Sequence, residues 1–143
     1  MIKFFLFIIL LAAIHAKVEN SAEGKGGWGL NFPCWAVNNL LTRFFIGKEL
    51  TAYHFYMGVM FLLLFHSPYL FIDFSFKKEF LIMGLWFWYW IVEDFMWFME
   101  SKYYGIKNFK KGRIFWHKRW WLNLPISYWI SRIIGTLLLF LGR

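Results

Sequence analysis

The groups in this chain that can bind a metal or move a proton are few and scattered. Among 143 residues there are four histidines and eight carboxylates; the histidines are His15, His54, His66 and His117, and two carboxylates stand side by side as Glu93 and Asp94. Two or three imidazoles with a carboxylate are the usual set for zinc or non-haem iron. A histidine beside a carboxylate is equally able to act as general acid and base. His54, His117 and Glu93 are therefore expected as metal ligands, for Zn or Fe, and Glu93, Asp94, His54 and His117 as catalytic groups. No HExxH and no paired HxxH or HxxxH box occurs, so local spacing cannot gather these residues and the fold must.

The elements that would gather them are read from hydropathy. Hydrophobic residues make up 60% of the chain and aromatics 25%, with 10 Trp and 19 Phe, and the mean hydropathy is +0.48. Soluble domains use roughly 45–50% apolar residues. The composition predicts an all-α integral membrane protein, a single domain over 1–143 with four transmembrane helices at about 2–16, 53–75, 80–99 and 126–142. Amphipathic interfacial segments are expected at about 27–46 and 103–122. The first run also fits a signal-peptide core ending at Ala16, and Pro68 is expected to kink the second span. A lone Cys34 excludes an intrachain disulfide and a Cys-rich metal site, and is expected as a small buried thiol.

The net charge of +8 sits between apolar runs, which fits anionic lipid headgroups and excludes nucleic acid as the expected partner. The connections 17–52 and 100–125 carry Lys17, Lys25, Arg43 and Lys48 and then seven more basic residues from Lys102 to Arg119. By the positive-inside rule they face inward, both termini face outside, and the first helix is retained. The expected location is the plasma (inner) membrane, and the expected partners are the lipid bilayer and a membrane protein.

On that topology Glu93, Asp94 and Arg132 share a level, so an ion pair of Asp94 or Glu93 with Arg132 would lower the burial cost of both. His15, His54 and His117 come to the same side. His66, with Ser67 and Pro68, is expected to satisfy a carbonyl freed at the kink. Trp86, Trp90, Glu93, Trp97 and Glu100 recur at helical spacing as one stripe, either a packing seam or the wall of a substrate groove. Two functions follow: a metal-binding or acid/base site acting on a lipid-like substrate, or a non-catalytic accessory or structural subunit of a larger complex. Ion transport is a third, and would need a water path.

Four landmarks carry a resemblance. Gly27-Trp28-Gly29 with Pro33 and Trp35, the run Gly47-Lys48-Glu49-Leu50-Thr51-Ala52-Tyr53-His54, the run Glu93 to Phe98, and Trp116-His117-Lys118-Arg119-Trp120-Trp121 resemble those of a family of small uncharacterised polytopic membrane proteins of prokaryotes. The likeness covers nearly the whole chain. Where that pattern has Asn-Pro after the third helix, this chain has Ser101-Lys102. The resemblance implies the same four helices and points to His54, Glu93, Asp94 and His117, and it brings no activity with it.

Overall fold

A computed structural model describes residues 2–29, 32–46 and 48–143. Leu30 and Asn31 of the segment 27–46, and Gly47 of the second landmark, lie outside the described residues. Long apolar runs without internal proline become helices: α1 (Ile2–Glu23), α2 (Ala52–His66), α3 (Phe76–Glu100) and α4 (Ile126–Leu141). The Thr51 hydroxyl caps α2 by accepting from the His54 N–H, and Ser75 caps α3 by accepting from the Lys78 N–H. Pro68 does not kink the second helix as expected. It stands in a short 3-10 turn, Ser67–Leu70, and α2 has already ended at His66, because Pro68 has no N–H to give the Leu64 carbonyl, which accepts from the Ser67 N–H and hydroxyl instead. His66 closes this turn: its Nδ1 lies 2.7 Å from the Leu62 carbonyl and its Nε2 3.0 Å from Glu79 at the start of α3.

Two small antiparallel pairs complete the fold, β1 (Ala36–Val37) with β2 (Leu50–Thr51) and β3 (Trp120–Trp121) with β4 (Leu124–Pro125). In the second hairpin Leu122 and Asn123 both take positive φ, 46° and 63°, the geometry of a two-residue turn matched to strand twist. The first pair sets Thr51 at the head of α2, with the Ala52 N–H donating to Trp35 O at 2.8 Å.

The central helix is α3, with α1 and α4 packed along it and α2 touching it more lightly. The α3–α4 crossing is close because small residues face one another. A Cβ at Gly84 would lie 2.9 Å from the Leu139 backbone nitrogen, and one at Gly135 would lie 3.2 Å from the Gly84 carbonyl. One core cluster joins Ile8, Ala12, Phe61, Leu85, Tyr89 and Leu139; a second joins Ala16, Trp97, Phe98, Ile114 and Trp116 under the 103–122 segment. Each large side chain so buried contributes roughly 1.5–3 kcal/mol.

This architecture corrects the expected fold class. Four helices are present, but among the described residues none is long and apolar enough to cross a membrane, and two small sheets accompany them. The reason lies in where the helices begin and end. At 15 and 16 residues, α2 and α4 extend about 22–24 Å at 1.5 Å per residue, short of a hydrocarbon core of ~30 Å. The longer α1 carries Lys3, Lys17, Glu19 and Glu23, and α3 carries Lys77, Lys78 and Glu79 at its start and Glu93, Asp94 and Glu100 in its last part. The expected integral-membrane location, with both termini outside, loses its basis with the spans. Large apolar side chains do remain on the outer faces, among them Leu6 at 62%, Leu63 at 68% and Phe140 at 70% exposed. Cys34 is exposed rather than buried.

Candidate metal centre

Because α1 runs on to Glu23 instead of stopping at Ala16, it carries His15, Glu19 and Glu23 one turn apart on a single face, and all three are buried. That face meets the part of α3 bearing Tyr89 and Glu93, and the two helices are tied by the Asn20 amide, which donates to both Ala16 O and Trp97 O at 3.0 Å. The glycine-rich turn after α1 then folds back so that the Gly29 N–H donates to the Glu23 carboxylate. Gly29 sits at φ +59°, and a Cβ there would lie 3.3 Å from His54 and 3.4 Å from the Thr51 hydroxyl. Only glycine takes that conformation without strain. Trp28, from the same turn, stacks on the His54 ring at 3.6 Å, and the Lys48 ammonium lies 3.1 Å over the Trp28 ring.

Two triplets result among the described residues, the first buried throughout and the second buried except for the half-buried His54. His15, Glu19 and Glu93 each offer a ligand atom within 4.8 Å of one another, and so do Glu19, Glu23 and His54. Glu19 belongs to both. His15 Nε2 is 3.4 Å from Glu19 and His54 Nε2 is 3.7 Å from Glu23. In each imidazole the other nitrogen is held by a hydroxyl, with His15 Nδ1 2.8 Å from the Tyr89 oxygen and His54 Nδ1 2.7 Å from the Thr51 oxygen. Such partners fix a ring and would leave Nε2 free to ligate, although in His15 it is Nδ1 that lies 3.7 Å from Glu93 Oε1. His15 Nε2 and Glu93 Oε1 are fully buried and make no hydrogen bond of good geometry among the described residues.

The protonation states suit ligation. Burial pushes His15 down to about 4 and His54 down to about 3, so both are neutral at physiological pH and keep a lone pair to offer. Burial raises Glu19 to about 8, with the Glu23 and Asp94 charges adding to the effect. It also raises Glu23 to about 7, against the opposing hydrogen bond from Gly29, and lifts Glu93 well above the carboxylate range, helped by Glu19. Without an ion, Glu19 and Glu93 hold protons that a divalent cation would displace. Burial alone would raise Asp94 too, but the Lys48 ammonium and hydrogen bonds from His117 and Tyr128 hold it below the ordinary range. Burial lowers Lys48, against the pull of Asp94 and the three glutamates.

A cavity of about 560 Å³ opens beside this cluster, and His54, Glu93, Asp94 and His117 all line it. The expected ligand set His54, His117 and Glu93 is nonetheless divided. Glu93 belongs with His15, His54 belongs with Glu23, and His117 instead pairs with Asp94 at 3.3 Å. The expected ion pair of Asp94 with Arg132 does not form: Asp94 Oδ2 accepts from Tyr128, and exposed Arg132 lies 5.6 Å over the Trp129 ring. Arg132 therefore stands outside the centre. Glu19, Glu23 and Lys48 are the members that sequence reasoning missed. The spacing 15, 19, 23 was visible as a helical stripe, but only if the helix continued past Ala16.

Comparison with known proteins gives no parallel. No family model, no curated protein and no solved structure matches the chain. The centre must be judged on its own chemistry, which is that of neutral imidazoles and displaceable carboxyl protons around a shared glutamate.

Proposed function

We propose that this protein binds divalent transition-metal ions, Zn or Fe, at His15, Glu19, Glu93, Glu23 and His54, and acts through them on a substrate that enters the adjoining cavity. The single observation that carries the reading is the pair of His and carboxylate triplets sharing Glu19. Two His/carboxylate sets joined by a carboxylate suit a pair of neighbouring ions. When bound, such ions polarise a substrate oxygen and generate a strong nucleophile from water near neutral pH. The chain's own contribution is to hold the imidazoles neutral and to present His117, oriented by the ionised Asp94, beside the centre as a proton relay. Three buried carboxylates, Glu19, Glu23 and Glu93, stand together near the buried Lys48, and a divalent ion would take the place of the protons that burial leaves on Glu19 and Glu93.

Metal analysis of the purified protein, followed by titration with Zn(II) or Fe(II) under reducing conditions near pH 8, tests this. Stoichiometric binding that Glu19→Gln abolishes and Arg132→Ala leaves intact is expected. Wild-type protein that takes up no metal, or a Glu19→Gln variant that binds as well as wild type, overturns it. A second reading, a non-catalytic subunit of a larger assembly, is favoured by the apolar outer faces of α1, α2 and α4. It predicts a stable co-purifying partner and no metal.

A further inference from the structure

The cavity beside the centre is a slot with one polar end. Phe55, Val59 and Leu62 of α2 line one wall, Trp86, Trp90 and Ile91 of α3 the floor, and Ile130 and Ile134 of α4 the other wall. The polar lining residues gather where α2 begins, α3 approaches its end and α4 begins: His54, the adjacent Glu93 and Asp94, and Ser127 with Tyr128. All three helices therefore change from polar to apolar in the same direction along the slot. The nine residues from His54 to Leu62 and the nine from Trp86 to Asp94 each extend about 12 Å at helical rise. Its volume of about 560 Å³ falls in the range of small-molecule sites.

We infer that this slot takes a single-chain amphiphile, with the hydrocarbon tail between α2 and α4 and an anionic oxygen head at the polar end. The inference deepens the proposed metal function and rests on it for part of the head's recognition. Two features of the chain itself also face such a head. The Lys48 ammonium lines the polar end, and Trp97, 2% exposed and lining the same cavity, has an indole N–H without a hydrogen-bond partner among the described residues. Two divalent ions that displaced the protons of Glu19 and Glu93 would leave the four carboxylates, Lys48 and the ions with a net charge of one positive, which complements an anionic head. The tail region offers aliphatic and indole surface, where each methylene removed from water strengthens binding about fourfold.

Gly58 provides the test. It lines the slot, and a Cβ there meets no atom within 4 Å, so Gly58→Leu fills empty space without disturbing a packed contact and favours the helix. Binding of decylphosphonate and of methylphosphonate is measured by calorimetry on metal-loaded protein, on chelator-treated protein and on Gly58→Leu, with circular dichroism to check the fold. Wild type should bind decylphosphonate at least roughly a hundredfold tighter than methylphosphonate. Gly58→Leu should lose tenfold or more of the decylphosphonate affinity and keep its metal content. Ile130→Ala, which widens the wall beside the tail, should weaken decylphosphonate and leave methylphosphonate unchanged. Equal affinity for the two phosphonates, or a Gly58→Leu variant that binds decylphosphonate as wild type does, overturns the slot even if metal is bound. Tail-dependent binding by protein that takes up no Zn(II) or Fe(II) when these are supplied sustains the slot and overturns the metal reading instead.

Discussion

Replacing Glu19 by Gln should stabilise the metal-free protein at alkaline pH and remove its response to metal. Glu19 is buried between two other glutamates, and its carboxyl is raised from 4.5 to about 8. At about 1.4 kcal/mol for each pH unit, that disfavours the ionised form in the folded state by on the order of 5 kcal/mol. The sign follows from proton counts. Between pH 4.5 and about 8 the folded protein holds the Glu19 proton and the unfolded chain does not, so stability falls as pH rises through this window and levels off above it. Gln keeps the shape and carries no charge, so the part of the fall due to Glu19 should be absent in the variant, while the part due to the raised Glu23 and Glu93 remains. In a chain of 143 residues a difference of this size amounts to roughly 10 °C or more in Tm. The assay is thermal unfolding followed by circular dichroism from about pH 5 to about pH 9, with and without Zn(II). Apo Glu19→Gln should melt well above apo wild type at the alkaline end and near it at the acid end. Excess Zn(II), at a hundred times Kd, should add about 2.7 kcal/mol to wild type only. A variant less stable than wild type at every pH, as for an ordinary buried polar residue, would refute the reasoning.

Other consequences follow from the same geometry. Below pH 6.5 His15 and His54 must accept protons that they resist down to about 4 and about 3. Their contribution is therefore fully present above pH 6.5 and lost as pH falls through those values, and metal should be released in the same acid range, measured by dialysis against a pH series. Gly29→Ala forces a side chain into φ +59° against His54 and the Thr51 hydroxyl; a loss of roughly 1–3 kcal/mol in urea unfolding is expected, together with weakened metal binding. Gly84→Ala drives a Cβ to 2.9 Å from the Leu139 backbone and should cost about 1–3 kcal/mol while leaving the metal stoichiometry alone. Arg132→Ala should change stability by less than about 0.5 kcal/mol, because Arg132 is exposed and touches Trp129 rather than Asp94.

The helices were legible in the sequence because long apolar runs free of proline have few other ways to satisfy their backbones. Their setting was not. Composition counts apolar side chains without saying how many lie at helix ends beside charge, and it was the ends that decided: Pro68 stops α2 after 15 residues, and α1 gains about two polar turns past Ala16. The gathering of His54, Glu93, Asp94 and His117 around one cavity could be argued from helix direction alone. Their partners could not. His117 meets Asp94 through the fold of the 103–122 segment, and His54 meets Glu23 through a turn at Trp28 and Gly29, long-range closures that leave no periodic signal. The Asp94–Arg132 pair failed for a different reason. Tyr128 meets Asp94 one helical turn before Arg132 on nearly the same face of α4, so the level read from the helix ends was out by a turn.

The central claim is that Glu19 stands between two metal positions. Diffraction data collected across the zinc absorption edge from crystals grown with Zn(II) test this most directly. The account predicts anomalous density within coordination reach of Glu19, flanked by His15 and Glu93 on one side and by Glu23 and His54 on the other. Density only at surface carboxylates, or at His117 and Asp94 with none beside Glu19, would contradict it.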